Sequence, residues 1–274
     1  MNRSEDRIHV HEDHRGVVTL TFNRADRNNA YDEALLQQCQ TALDQLEQRD
    51  SNTRPRVLVI RGAGRHFQAG ADLTWLNGLS TQSPEANLAA SQLTSGLMRR
   101  LNALPIPTIA LVQGGCFGGG TGLIASCDVV IAADNAQFSI AESRWGMVAS
   151  IIIPQLNDAM SIRQVRRYAL TGERFDADEA RRIGLVHEVV PLNELYVAGE
   201  RIIDALLRNG PQATRLTKET ALRACWSAID DAEDRRLVQE HALKRQSDEA
   251  AEGLASFWEK REAVWYSRSP GKSL

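Results

Sequence analysis

Six glycines fall within nine positions, Gly114 to Gly122, in the stretch Val112-Gln-Gly-Gly-Cys-Phe-Gly-Gly-Gly-Thr-Gly-Leu-Ile-Ala-Ser-Cys-Asp128. The apolar, β-branched run Thr108–Val112 before it reads as a buried strand, and Leu123–Cys127 after it as an apolar helix. A strand, a glycine turn and a helix present free backbone N–H groups at a helix start, where an anion or a polarised oxygen is favoured. Glycine is required where backbone approaches a ligand or takes φ > 0. A tight strand–helix turn accounts for two or three glycines; six ask for a ligand. A second loop, Arg65-His-Phe-Gln-Ala-Gly-Ala-Asp-Leu-Thr-Trp-Leu76, also follows a strand and opens a helix. Two such loops can hold one oxygen from two sides. That arrangement stabilises an oxyanion, and losing one donor costs ~10²–10³ in rate.

The elements that position these loops alternate. Ile8–Val10 and Val17–Phe22 read as a hairpin turning at Asp13–Gly16. A helix follows over Tyr31–Glu47, with Leu35, Leu36, Cys39, Leu43 and Leu46 as its apolar stripe. Arg56–Arg61 is a strand, 62–72 a loop, and 72–77 a short helical piece. A polar connection, Ser80–Pro84, leads to a helix over Asn87–Leu104, ended by Pro105 and Pro107. Beyond the glycine stretch come strands at 128–133 and 136–138, helices at 161–170 and 177–183, and a last strand at 184–190. From Leu195 onward the pattern is helical, over 195–208, 212–226 and 232–260. The expectation is an α/β core over 1–205, carrying the site, and a helical region over 206–274.

Net charge is −3, from 32 basic and 35 acidic residues. That leaves no electrostatic case for nucleic acid. Residues 1–7 lack an apolar leader core and no 18-residue apolar run occurs, so a soluble, cytoplasmic protein is expected. Cys39, Cys116, Cys127 and Cys225 have no metal spacing and read as reduced thiols. His9, His11 and His14 alternate without a cysteine or carboxylate cluster, so no metal site is expected. Ser139 and Ser143 lack a Gly-x-Ser-x-Gly elbow. Gly118–Gly120 does not complete a dinucleotide fingerprint.

Several segments in order resemble the crotonase (enoyl-CoA hydratase/isomerase) superfamily. Asn23-Arg-Ala-Asp-Arg-Asn-Asn-Ala30 is similar to its Asn-Arg-Pro…Asn-Ala loop, and His66-Phe-Gln-Ala-Gly-Ala-Asp72 to its Phe-x-Ala-Gly-Ala-Asp loop. Phe117-Gly-Gly-Gly-Thr-Gly122 is similar to Gly-Gly-Gly-x-Glu, with Gly122 in place of the glutamate. Ala136-Gln-Phe-Ser-Ile-Ala-Glu142 is similar to Ala-x-Phe-x-x-Pro-Glu, with Ala141 for the proline. Leu170–Ala180, Gly184–Val186 and Phe257–Arg261 also fit. The resemblance implies a spiral of ββα units with a helical C-terminal trimerisation region, and a homotrimer or a hexamer built as a dimer of trimers. It implies an acyl-CoA substrate with no separate cofactor, its thioester oxygen held by the amides of Ala71 and Gly119. Many hydratases of the superfamily set two glutamates on one water. Here only Glu142 is carried over, as the base on water or on an α- or γ-proton. The plain alternative for Glu142 is a surface carboxylate or helix cap.

The segments around 71–76, 116–123 and 141–147 are most similar to 3-methylglutaconyl-CoA and isohexenylglutaconyl-CoA hydratases. The expected reaction is hydration of a branched, 3-substituted glutaconyl-type CoA ester, in leucine or acyclic-terpene breakdown. The alternatives are a Δ3-Δ2 enoyl-CoA isomerase, which one base can serve, or a non-catalytic acyl-CoA binder. Gly122 is expected to leave room for the branch. Arg144 is a candidate for the distal carboxylate, or for an internal salt bridge. Trp75 and Trp145 are candidates for the acyl pocket, or for core packing. Gly118 belongs to the oxyanion turn. Ala69 and Asp72 are placed at the adenine, and Arg27 and a neighbouring subunit's Lys260 at the CoA phosphates. His66 is expected to be structural.

Overall fold

A computed structural model describes residues 6–50, 53–224 and 230–267. The chain opens with an antiparallel hairpin, β1 (Ile8–Glu12) and β2 (Val17–Phe22). The Asp13 side chain makes its turn, accepting from the amides of Arg15 and Val17. Asp32 caps α1 (Glu33–Glu47) by accepting from the Leu35 amide. The helix therefore starts two residues beyond Tyr31. β3 (Val57–Gly62), α2 (Leu73–Leu79) and α3 (Pro84–Ala103) lead to β4 (Thr108–Val112). The glycine run then holds a strand as well as a helix: β5 (Gly115–Phe117) is followed by α4 (Gly119–Ala125). β6 (Val129–Ala133) and β7 (Gln137–Ser139) repeat this strand–strand step before α5 (Ile153–Met160) and α6 (Ile162–Thr171). A short β8 (Phe175–Asp176), α7 (Ala177–Arg182), β9 (Glu188–Val190) and α8 (Leu195–Arg208) complete the core. α9 (Pro211–Ala224), α10 (Asp231–Arg245) and α11 (Asp248–Glu259) follow.

The larger sheet has the order β1-β2-β3-β4-β6-β9, parallel throughout except at the hairpin. The smaller has the order β5-β7-β8. The β4–β5–α4 and β6–β7–α5 turns each give one strand to each sheet, as the expected spiral requires. Period-two alternation sorts the strands' side chains onto two faces. Leu20, Ile60, Ala110 and Val130 stand in register on one face and join the main core with α1 and α3. Val17, Val57, Val59, Ile109, Leu111 and Ile131 face the other way, against Leu195, Ala198, Ile203 and Leu207 of α8. The expected boundary at residue 205 therefore lies inside a helix that still covers the sheet.

The helix expected over 232–260 is two. Ser247 interrupts it and caps α11 by accepting from the Ala250 amide. Cys39 and Cys116 are buried free thiols and Cys127 is a partly buried one; Cys225 and Trp226 lie outside the described residues. Among the described residues no helix is long and apolar enough to cross a membrane. Nor do three His, Cys, Asp or Glu side chains gather among them as a metal site would require.

Candidate active site

The two loops are bound edge to edge. The Gln68 amide donates to the Gly115 carbonyl (3.1 Å), and the Phe117 amide to the Gln68 carbonyl (3.0 Å). The buried Gln68 side chain then folds onto Gly70: its Nε2 donates to the Gly70 carbonyl (3.1 Å) and its Oε1 accepts from the Gly70 amide (2.8 Å). On the other side, the Tyr31 amide donates to the Gly70 carbonyl and the Asp72 amide to the Tyr31 carbonyl, at 2.9 and 2.8 Å. In a parallel bridge of this kind, the bracketed residue turns its own N–H away from the partner strand. Ala71 is that residue. Its N–H, like that of Gly119 at the first position of α4, has no acceptor among the described residues. Contact is close: a β-carbon at Gly70 would stand 3.0 Å from the Phe117 carbonyl. Both residues line one cleft of about 360 Å³.

Glu142 comes to this cleft from β7. The Gly118 amide donates to the Ser139 carbonyl (2.8 Å), which ties the glycine turn to the end of that strand. Glu142 opens a 3₁₀ turn over Glu142–Trp145. Its carboxyl group lies over Gly118, where a β-carbon would be 2.9 Å from Oε1. Gly118 also has φ +51°, so this position excludes a side chain on both counts. Oε2 is buried with no hydrogen-bond partner. Burial pushes the Glu142 carboxyl above its ordinary range, against a smaller opposing pull from its own backbone amide. The site thus holds two unused donors, and a base made stronger by the loss of water around it.

Of the residues expected at the site, Ala69, Ala71, Gly118, Gly119, Glu142, Arg144 and Trp145 border the cleft. Trp145 is a largely exposed rim residue. Arg144 lies over Gly172 at the mouth, with no carboxylate partner among the described residues, so the internal salt bridge is not formed. The other expected residues stand elsewhere. Trp75 does not line the cleft; it packs edge-on against the Tyr31 ring at 6.1 Å. Asp72 caps α2 through the Thr74 amide and pairs with Arg24 at 2.8 Å, so its side chain is fully engaged. Burial would raise the Asp72 carboxyl, but these partners together hold it below the usual value. Arg27 is exposed beside Asp26. Lys260 is exposed at the end of α11, in the left-handed conformation.

Gly122 corrects a specific expectation. It is buried, and a β-carbon there would stand 2.1 Å from Cγ2 and 2.4 Å from Cβ of Ile152. The volume vacated at 122 is therefore filled by the protein itself and offers no room for a substrate branch. Ile152 in turn lines the cleft. It is among the bordering residues that the sequence reading left out. Tyr31 is another, placed by the loop that ends in Asn29-Ala30. Arg174 is a further one, its guanidinium 5.2 Å from the Phe117 ring centre. His66 has the structural part expected of it, its Nδ1 accepting from the Gly115 amide at 2.7 Å.

Comparison with known proteins covers nearly the whole chain. The family model described as enoyl-CoA hydratase/isomerase matches residues 12–268. The mevalonyl-coenzyme A hydratase sidH of Aspergillus fumigatus is 32% identical, over 91% of each chain. An enoyl-CoA hydratase from Shewanella pealeana superposes with a TM-score of 0.89 at 34% identity, over 94% of this chain and 96% of that one. Pseudomonas aeruginosa AtuE superposes at 0.90 with 32% identity, over 96% and 100%. On these grounds the chain belongs to the enoyl-CoA hydratase/isomerase family, and it is an enoyl-CoA hydratase enzyme of the crotonase superfamily.

Proposed function

We propose that the protein hydrates a branched, 3-substituted glutaconyl-type CoA ester, of the isohexenylglutaconyl or 3-methylglutaconyl kind, with coenzyme A entering only as part of the substrate. The observation that carries this reading is the single carboxylate: Glu142, one oxygen buried and unpartnered, beside two free amides. The thioester oxygen accepts from the N–H groups of Ala71 and Gly119. Negative charge grows on it as water adds at Cβ, so the donors act most strongly in the transition state. Glu142 takes a proton from the water whose oxygen bonds to Cβ. The same proton returns at Cα as the enolate collapses, and the carboxylate is restored. Arg144 and Arg174, both lining the cleft, supply positive charge for the distal carboxylate of such an ester; no acid pairs with either among the described residues. Ala69 and the Asp72 backbone serve the adenine, and Arg27 and Lys260 of a second copy the CoA phosphates. The apolar side chains exposed on α10 and α11 serve a homotrimer, alone or paired into a hexamer, in acyl-CoA metabolism of the cytoplasm.

One base also suits a Δ3-Δ2 isomerase, because Glu142 could move a proton between carbons without water. A panel of linear and branched enoyl-CoA esters, compared by kcat/KM, tests the reading. The expected result is highest kcat/KM for 3-branched esters bearing a distal carboxylate. Conjugation of a 3-enoyl-CoA faster than any hydration favours the isomerase.

A further inference from the structure

A one-carboxylate site raises the question of which other group in the cleft can donate a proton or a hydrogen bond. Two O–H groups border it, those of Tyr31 and Ser139. Ser139 is committed, its hydroxyl donating to the Gly172 carbonyl at 2.9 Å. The Tyr31 hydroxyl makes no hydrogen bond among the described residues, although the residue is almost wholly buried. Its placement is tightly set. The Tyr31 backbone forms the bridge that turns the Ala71 amide toward the cleft. Its ring leans on Gly119: a β-carbon there would meet the hydroxyl oxygen at 2.5 Å and Cε1 at 2.7 Å. Trp75 meets the ring edge-on. Tyr31 therefore meets both residues whose amides are free, Ala71 through its backbone and Gly119 through its phenol.

We propose that Tyr31 is a catalytic residue, its hydroxyl donating a third hydrogen bond to the thioester oxygen beside the amides of Ala71 and Gly119. This rests on the reading of those amides as the thioester site. Burial, with the nearby Glu142 carboxylate, drives the phenol pKa upward, so the hydroxyl keeps its proton and remains a donor. No covalent step is added; the hydrogen bond strengthens as charge moves onto the oxygen and relaxes as the product forms. The third donor compensates for the acid absent at 122 by lowering the energy of the enolate that one carboxylate must make and protonate. It also explains Gly119: any side chain there would displace the phenol.

Tyr31→Phe keeps the ring, its contact with Trp75 and the fold, and removes only the donor. The expected result is a ~10²-fold loss in kcat, with KM within a few-fold and an unchanged melting temperature. A second readout does not depend on turnover. Butyryl-CoA labelled with ¹³C at the thioester carbonyl is bound to each protein, and the carbonyl stretch is read by difference infrared spectroscopy. Binding to the parent should lower the frequency, and Tyr31→Phe should return part of that shift; a merely structural tyrosine would leave it unmoved. Equal kcat and an equal carbonyl shift in the two proteins overturn the proposal while the hydratase reading stands. A parent that polarises no carbonyl and turns over no ester of the panel overturns both.

Discussion

Glu142 is held where its charge is least welcome. Its carboxylate must be ionised to take a proton from water, yet burial favours the neutral form and one oxygen finds no partner. Two measurable consequences follow with opposite signs. Glu142→Gln keeps the shape and removes the base, so kcat should fall ~10²–10⁴-fold. In the parent, the acid limb of kcat/KM should lie above the ordinary carboxylate value, with activity rising as pH rises through it. Stability moves the other way. The folded-state pKa is raised, so this group's favourable contribution is present in full below the unfolded carboxyl's pKa, about 4.3, and is lost as pH rises through the folded value. Glu142→Gln should therefore melt higher than the parent at pH 7, with the difference vanishing at pH 4. Equal melting curves at pH 7 would show that the carboxylate is well solvated. Gln68 makes a different kind of demand. Both ends of its amide are spent on Gly70, two residues away. Gln68→Leu should lower kcat by about tenfold or more through loss of Ala71 alignment, with the melting temperature falling a few degrees as the Gly70 amide loses its partner.

At the scale of elements, the joint between α4 and the residue that precedes α5 decides what the cleft can be. Gly122 and Ile152 share one volume. Gly122→Ala should cost about 1–3 kcal/mol from overpacking, and Gly122→Glu more, with activity lost through a displaced α4. Ile152→Ala alone leaves a cavity and costs about 2–5 kcal/mol. Combined with Gly122→Glu, the two should cost less than their sum, because the new side chain enters the vacated space. Urea titration of the four proteins checks this; strict additivity would mean the two residues do not meet in solution. The same joint shows what could be read ahead of the structure. β3, β4 and β6 were legible because apolar, β-branched runs have few alternatives to a buried strand, and β2 because its residues alternate at period two. The Ala71 and Gly119 loops were legible because strand–glycine–helix order recurs at each. β5 was not, since Gly115-Cys-Phe117 has little strand preference and is held by pairing with Gln68 and β7. α5 was missed because its apolar start, Ile151-Ile-Ile153, suits strand as well as helix. The partner of Gly122 lies 30 positions along the chain, so local pattern gave no hint that a missing side chain was replaced by an isoleucine. Trp75 took the second of its two readings, packing on Tyr31 rather than bordering the cleft, because a spacing argument does not say which way a side chain turns.

The whole molecule is asymmetric in how well it is covered. Both faces of the large sheet are packed, one by α1 and α3 and the other by α8. Beyond α8 the chain is tied back by a few polar contacts. Lys218 pairs with Asp128 at 2.7 Å, and the Arg56 guanidinium donates to the carbonyls of Leu207, Asn209 and Trp265. α10 and α11 bury no residue completely. They expose Val238, Leu243 and Leu254, with Phe257 at 71% and Trp258 at 75% of their full surface. A lone soluble chain rarely leaves so many large apolar groups of adjacent helices in water, and a partner surface is the usual remedy. Copies of the same chain are the economical partner, since closed symmetry lets one patch serve every subunit. Replacing Phe257 and Trp258 together by glutamate places charge in the contact without touching the sheet core. Sedimentation velocity should then show the parent as a trimer or hexamer and the variant as a monomer, its melting temperature no longer rising with concentration. Lys260 sits one residue past α11, so its proposed contact with a neighbour's CoA phosphates joins assembly to binding. The dissociated variant and Lys260→Ala should both raise KM for CoA esters, with kcat at saturation within a few-fold of the parent. A monomeric variant whose KM equals the parent's would place the phosphate contacts wholly within one chain, leaving assembly to stability alone.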